Sequence, residues 1–155
     1  MDFLAYGLCF ICSASVGGGY SPVFSVMAES RRRGGDLAGT VSFFGVKAAY
    51  DLCTGVLPFT APHYIAYALA YLASKRGSVA ASFCFFAVSN SICFLQMAGT
   101  FYPPTFAGYA DCILAGVPFL LRNIIGCLTA DIGFFLLGRT RRAGIDNLPN
   151  PQYAP

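Results

Sequence analysis

Residues Pro118–Gly138 read PFLLRNIIGCLTADIGFFLLG, an apolar run interrupted by a cation, an amide and an acid: Arg122, Asn123 and Asp131. At about 1.5 Å per residue the run is long enough to cross a bilayer once. A charge near the centre of a membrane span costs roughly 2.5–3.5 kcal/mol on insertion scales. Such groups therefore turn toward a protein interior or a cavity. The expectation is an integral membrane protein with a polar pocket between helices.

The whole chain supports that class. Of its 155 residues 56% are hydrophobic and 11% charged, against about 25% charged in soluble domains. A water-soluble fold would lack the polar surface to cover itself. Eight of the ten basic residues fall in three clusters: Arg31–Arg33, Lys75–Arg76, and Arg139, Arg141 and Arg142. Each borders an apolar segment, so the positive-inside rule places all three in the cytoplasm. Topology alone requires short basic loops, and no nucleic-acid partner is expected.

The seven cysteines are odd in number and lie mostly in apolar runs. They read as small hydrophobic residues rather than a disulfide framework. Cys9-x-x-Cys12 has no second ligand pair, and His63 is the single histidine, so neither a metal centre nor another cofactor is expected. The N-terminal apolar segment Phe3–Val16 follows Asp2 rather than a basic n-region, which favours a retained helix over a cleaved signal. On it Ala5, Cys9 and Ser13 make a small-residue face, suited first to packing within the bundle.

The remaining spans follow in order. Gly17–Gly19 and Pro22 break the first segment, and Pro22–Ser30 is either a short second crossing or the rest of a broken one. Leu37–Val56 is a span carrying Lys47 and Asp51 at i, i+4 on one face, which reads equally as a structural ion pair and as a pocket-facing acid. Leu57–Phe59 and Pro62 make a turn, and His63–Ser74 is a short return. Val79–Ala98 is a full span, with Asn90 expected to bond between helices. Gly99–Gly116 is expected to be an outer loop or re-entrant segment. Phe106–Gly138 could hold two crossings, but one crossing from Pro118 keeps all three basic clusters on one side. The fold class is thus all-α, a polytopic membrane bundle of five to six helices. Residues 1–142 form a single transmembrane domain, and 143–155 a disordered cytoplasmic tail.

That accounting gathers Tyr20, Asp51, His63, Tyr64, Gln96, Tyr102, Asp111, Arg122 and Asn123 on the outer half. Asp131 lies deeper, as a partner for Lys47 across the bundle or as a second site acid.

The chain resembles a family of small uncharacterised bacterial integral membrane proteins, a domain of unknown function. The matching pieces are Tyr20-Ser21-Pro22-Val23, Asp51-Leu52 with Gly55, Ser89-Asn90, Tyr102-Pro103-Pro104 with Gly108, and Pro118-Phe119 with Asn123 and Gly126. That family in turn looks like the substrate-binding S components of energy-coupling-factor vitamin transporters. The resemblance implies six helices, both termini in the cytoplasm, a substrate pocket near the outer surface of the bacterial inner membrane, and a membrane coupling subunit with ATPases as partners. The family places an acid straight after the glycine of the last span; Cys127 stands there, and Asp131 follows one turn later.

The leading functional expectation is a subunit that captures a small water-soluble nutrient. Arg122 suits a carboxylate or phosphate, Asp51 and Asp111 a cation or donor, and Tyr20, Tyr64, Tyr102 and Asn123 stacking or hydrogen bonds. The alternative is a non-transporting membrane scaffold, using small-residue helix faces and having no ligand-sized cavity. The chain holds no H-E-x-x-H, Walker loop or Ser/His/Asp arrangement, so it is not expected to be an enzyme, and energy must come from a partner.

Overall fold

The structure, a computed structural model, describes residues 2–15, 20–33 and 36–146. They form helices α1 (Asp2–Ser15), α2 (Val23–Arg32), α3 (Asp36–Thr54), α4 (Leu57–Thr60), α5 (Tyr64–Ala73), α6 (Ser78–Met97) and α7 (Phe106–Asp146). Among the described residues there is no strand. The Gly17–Gly19 break and the tail from residue 147 lie outside the described residues.

The connections explain where each helix stops. Gly55 (φ +70°) and Gly77 (φ +119°) supply backbone conformations that side chains disfavour, ending α3 and separating α6 from the turn before it. The expected turn at Leu57–Pro62 is instead helical. Short 3₁₀ turns at Ala61–His63 and Ser74–Arg76 bracket α5, and Ala61, Tyr64 and Ser74 keep right-handed helical dihedrals at the junctions. Leu57–Arg76 is therefore one helical run of about 30 Å, not the short return expected from His63. Pro58 sits in the first turn of this run, where a missing N–H costs no intrahelical bond, and Pro62 lies in the 3₁₀ turn that follows.

The last helix also departs from expectation. It begins at Phe106, so the second half of the expected Gly99–Gly116 loop is helical. Thr105 caps it, its Oγ1 accepting from the Gly108 N–H at 3.2 Å, the geometry of an N-cap. Pro118 lies inside the helix and removes one backbone bond without ending it. The two turns before it are held against α6: Cys112 donates to the Asn90 carbonyl at 3.7 Å, and Gly116 lies hard against the Asn90 amide.

Side-chain contacts fix the directions. Tyr6 meets Phe43 and Phe10 meets Tyr50, with ring centroids 5.2 and 5.7 Å apart, so α1 runs parallel to α3. Phe43 meets Tyr67 and Phe44 meets Tyr64, so α5 runs antiparallel to α3. Ser78 contacts Asp131, Ser82 contacts Cys127 and Ser91 contacts Tyr109, so α6 and α7 are antiparallel. One end of the bundle carries Arg31–Arg33 beside Ser74–Lys75. The opposite, loop end carries the Gly55–Val56 turn and the Ala98–Thr105 loop.

The second helix is only half the depth of the bundle. Ser25 Oγ donates to the Cys127 carbonyl at 2.8 Å, and the Tyr20–Ser21 backbone lies where a Cβ on Gly126 would sit, at 3.1 Å. α2 thus starts midway along α7 and descends to the basic end. Cys127, fully buried, sits at the meeting of α2, α6 and α7.

The core is an aromatic and small-residue cluster around Tyr6, Phe10, Phe24, Met27, Phe43 and Tyr71. Cys9 is buried in it and Ala5 packs against it, so these two residues of the α1 small-residue face pack inward; the Ser13 side chain lies outside the described residues. Two helical stretches, Ser78–Met97 and Phe106–Leu137, are long and apolar enough to cross a membrane, and in each only 17% of the most apolar window is buried. Their apolar side chains, among them Phe83, Leu95, Leu114, Ile125 and Ile132, face outward.

Candidate functional site

At the loop end the helices part around two chambers that share Phe85, Phe119 and Asn123. The larger, about 420 Å³, lies between α6 and α7. Ser89, Asn90, Cys93 and Met97 recur at helical spacing on one side, Cys112, Ala115, Gly116 and Leu120 on the other, and His63 and Tyr102 stand at its mouth. The smaller, about 300 Å³, lies between α1, the start of α2, and α3. Phe10, Ser21, Val23, Phe24, Lys47, Asp51, Thr60 and Tyr67 are in its wall. Small-molecule sites fall in this size range and share this plan of apolar walls with few polar groups. Gln96 Nε2 reaches the Phe59 carbonyl at 3.4 Å, tying α6 to α4 at the rim.

The polar focus of the smaller chamber is the Lys47–Asp51 pair, 4% and 1% exposed. One turn of α3 separates the two residues, so both point to the same face. Asp51 Oδ2 accepts from Lys47 Nζ in a very short contact, from Thr60 Oγ1 at 2.7 Å and from Tyr64 OH at 3.1 Å. Its other oxygen, Oδ1, is buried with no hydrogen-bond partner. The Lys47 ammonium lies 5.3 Å from the centroids of Tyr64 and Tyr67 and 5.9 Å from that of Phe10. Ring faces attract a cation when water is excluded, so the pair is neutral overall and caged on the lysine side.

Asp131 is not the partner of Lys47. The antiparallel register carries it to the start of α6, where it accepts from Ser78 Oγ at 2.5 Å. The positive end of that helix dipole favours an acid there. Asp131 and Cys127 are both outside the walls of the two chambers.

The structure brings Asp51, Tyr102 and Asn123 to the chambers; Tyr64 is outside their walls and is tied to the smaller one through its hydrogen bond to Asp51. Tyr20, Asp111 and Arg122 are exposed and outside the chamber walls. Asn90, expected to bond between helices, donates to the Phe86 carbonyl of its own helix at 2.9 Å, while its amide packs on Gly116. The Tyr102 phenol, in the loop, is held above its ordinary pKa by loss of water contact first and by Cys112, Cys93 and Asp111 next. It stays a hydrogen-bond donor at neutral pH.

Phe85, Ser89, Cys93, Met97, Cys112 and Phe119 were not among the candidates from sequence. A signal for part of the set exists: Phe86, Ser89, Asn90, Cys93 and Met97 recur every three or four residues along one stripe of an otherwise apolar span. Among the described residues no three His, Cys, Asp or Glu side chains converge.

No curated protein and no solved structure matches the chain. Residues 44–142 match a family of unknown function, DUF6580. The match takes in most of α3, with Lys47 and Asp51, all of α5 and α6, and α7 as far as residue 142. Since it covers more than half of the sequence, the chain belongs to the DUF6580 family of unknown function.

Proposed function

We propose that this protein is a six-helix membrane subunit that captures a small water-soluble nutrient, vitamin-like in size, in the chambers at its loop end. The carrying observation is the pair of chambers joined at Phe85, Phe119 and Asn123. Their position opposite the basic clusters makes them outward-facing by the positive-inside rule, with the C-terminus in the cytoplasm of a bacterial inner membrane. The membrane reading draws on the two long apolar helices and their outward-facing side chains; a soluble protein would bury such helices. The loop-end cavities favour capture over the scaffold alternative, which expects that half to be filled.

The ligand lies against aromatic walls, with the Asn123 amide at the junction able both to donate and to accept. Lys47 and Asp51 are occupied with each other and set the electrostatic boundary of the inner chamber. Movement across the membrane needs an energised partner, the coupling subunit and ATPases that the S-component layout implies.

The test is equilibrium binding of a panel of radiolabelled vitamins and precursors to the detergent-purified protein. One saturable ligand is expected, with Asn123→Leu weakening it by on the order of tenfold or more, about 1.4 kcal/mol. Arg122→Ala, outside the chambers, should leave the affinity unchanged. Absence of saturable binding across the panel refutes the reading.

A further inference from the structure

Independently of any nutrient, the larger chamber holds three sulfur ligands that no function above uses. Cys93 and Met97 are one turn apart on α6, with Cys93 Sγ 3.8 Å from Met97 Sδ. Cys112 faces them from α7, its thiol donating at 3.7 Å to the carbonyl of Asn90, one turn before Cys93 on α6. All three line the same chamber. We propose that Cys93, Cys112 and Met97 form a binding site for a soft monovalent metal ion, copper(I), at the loop end of the bundle.

The geometry fits one ion. A metal–thiolate bond of about 2.3 Å sets sulfur–sulfur separations of about 3.8 Å around a tetrahedral centre and about 4.0 Å around a trigonal one. The Cys93–Met97 separation already has that value. The ligand chemistry selects the ion. Two thiolates and a thioether suit copper(I); zinc also takes thiolates, but its protein sites use three or four Cys, His or carboxylate donors, and no third His, Cys, Asp or Glu converges here among the described residues. The chamber mouth beside Tyr102 gives an entry path, and the Asn90 carbonyl orients the Cys112 thiol as an outer-shell partner. Binding is an exchange without electron transfer. The ion enters as copper(I), two copper–sulfur bonds form to the cysteines, and each thiol gives its proton to water. Met97 adds its lone pair.

The test titrates the purified protein, under reductant, with copper(I) against a chromogenic chelator, and with silver(I) as a redox-inert stand-in. The expected result is one ion per chain in an all-sulfur shell by X-ray absorption. Cys93→Ser and Cys112→Ser should each lose affinity by on the order of 100-fold, and Met97→Leu, which keeps the packing, by about tenfold. The double variant Cys53→Ser/Cys84→Ser controls for other thiols and should bind as wild type. Cys93→Ala and Cys112→Ala, matched to wild type in monodispersity, keep the test open should a serine variant misfold. Unchanged affinity in the Cys93/Cys112 variants, or a nitrogen- or oxygen-containing shell, overturns the proposal. So does thiol labelling of protein purified without reductant that shows Cys93 and Cys112 already joined as a disulfide.

Discussion

Removing Asp51 should be the most damaging single polar change in the bundle. Asp51→Ala leaves the Lys47 ammonium, 4% exposed, among three aromatic rings with its carboxylate gone. It also strips Thr60 and Tyr64 of their common acceptor. Breaking a buried pair from one side costs about 3–5 kcal/mol. Lys47→Met should cost less, because Asp51 keeps two hydroxyl donors and the methionine fills the space of the lysine stem. The double variant Lys47→Met/Asp51→Leu removes both charges and should recover much of the loss, since apolar replacement of a buried pair is often close to neutral. The assay is reversible unfolding in mixed micelles, read by circular dichroism and arranged as a double-mutant cycle. The reasoning fails if Asp51→Ala stays within about 0.5 kcal/mol of wild type, the range of ordinary surface changes, or if the double variant is no better than the sum of the singles.

Three further outcomes follow from close contacts and caps. Gly126→Val pushes side-chain atoms into the Tyr20–Ser21 backbone, where even a Cβ would be 3.1 Å away, and should cost about 1–3 kcal/mol; Gly133→Ala, with open space around it, should stabilise by up to about 1 kcal/mol in the same unfolding assay. Thr105→Ala removes the cap on Gly108 and should cost about 1 kcal/mol, with faster amide exchange confined to the first turn of α7 as the local readout. Asp131→Asn keeps an acceptor for Ser78 and should be mild, whereas Asp131→Ala leaves the buried Ser78 hydroxyl without it and should cost about 1–3 kcal/mol, seen as a lower unfolding midpoint.

How far the sequence could be read depended on the range of the interaction. The Lys47–Asp51 pair was legible because its spacing is local: any α3 helix places the two on one face. The partner of Asp131 was not, because it depends on the α6–α7 register, which hydropathy does not encode. The start of α7 was misread for a local reason. Pro118 is a good first-turn residue, yet the true cap is Thr105, just after the Pro103–Pro104 pair, and packing against Asn90 holds the helix through Pro118. The chambers were only half legible. Asn123 and Asp51 stood out as polar groups in apolar runs, but Cys93 and Cys112 read as filler until two facing helices put them in one chamber. Arg122 stood out just as strongly, and the turn of α7 carries it to the outside.

The half-depth α2 has a consequence for any solute in the inner chamber. Ser21, Val23 and Phe24, at its upper end, form part of that chamber's wall, and Ser25 is latched to the Cys127 carbonyl just below. The chamber is therefore a cup whose floor is a short helix packed along its length, with Phe24 and Met27 in the core and Arg31 donating to the Tyr71 carbonyl at 2.6 Å at its far end. Under the proposed capture role, solute enters and leaves by the loop end, whereas passage to the basic end requires that floor to shift or the whole body to reorient. Tying α2 to α7 by a cross-link between Ser25→Cys and an adjacent α7 position would then separate loading from release.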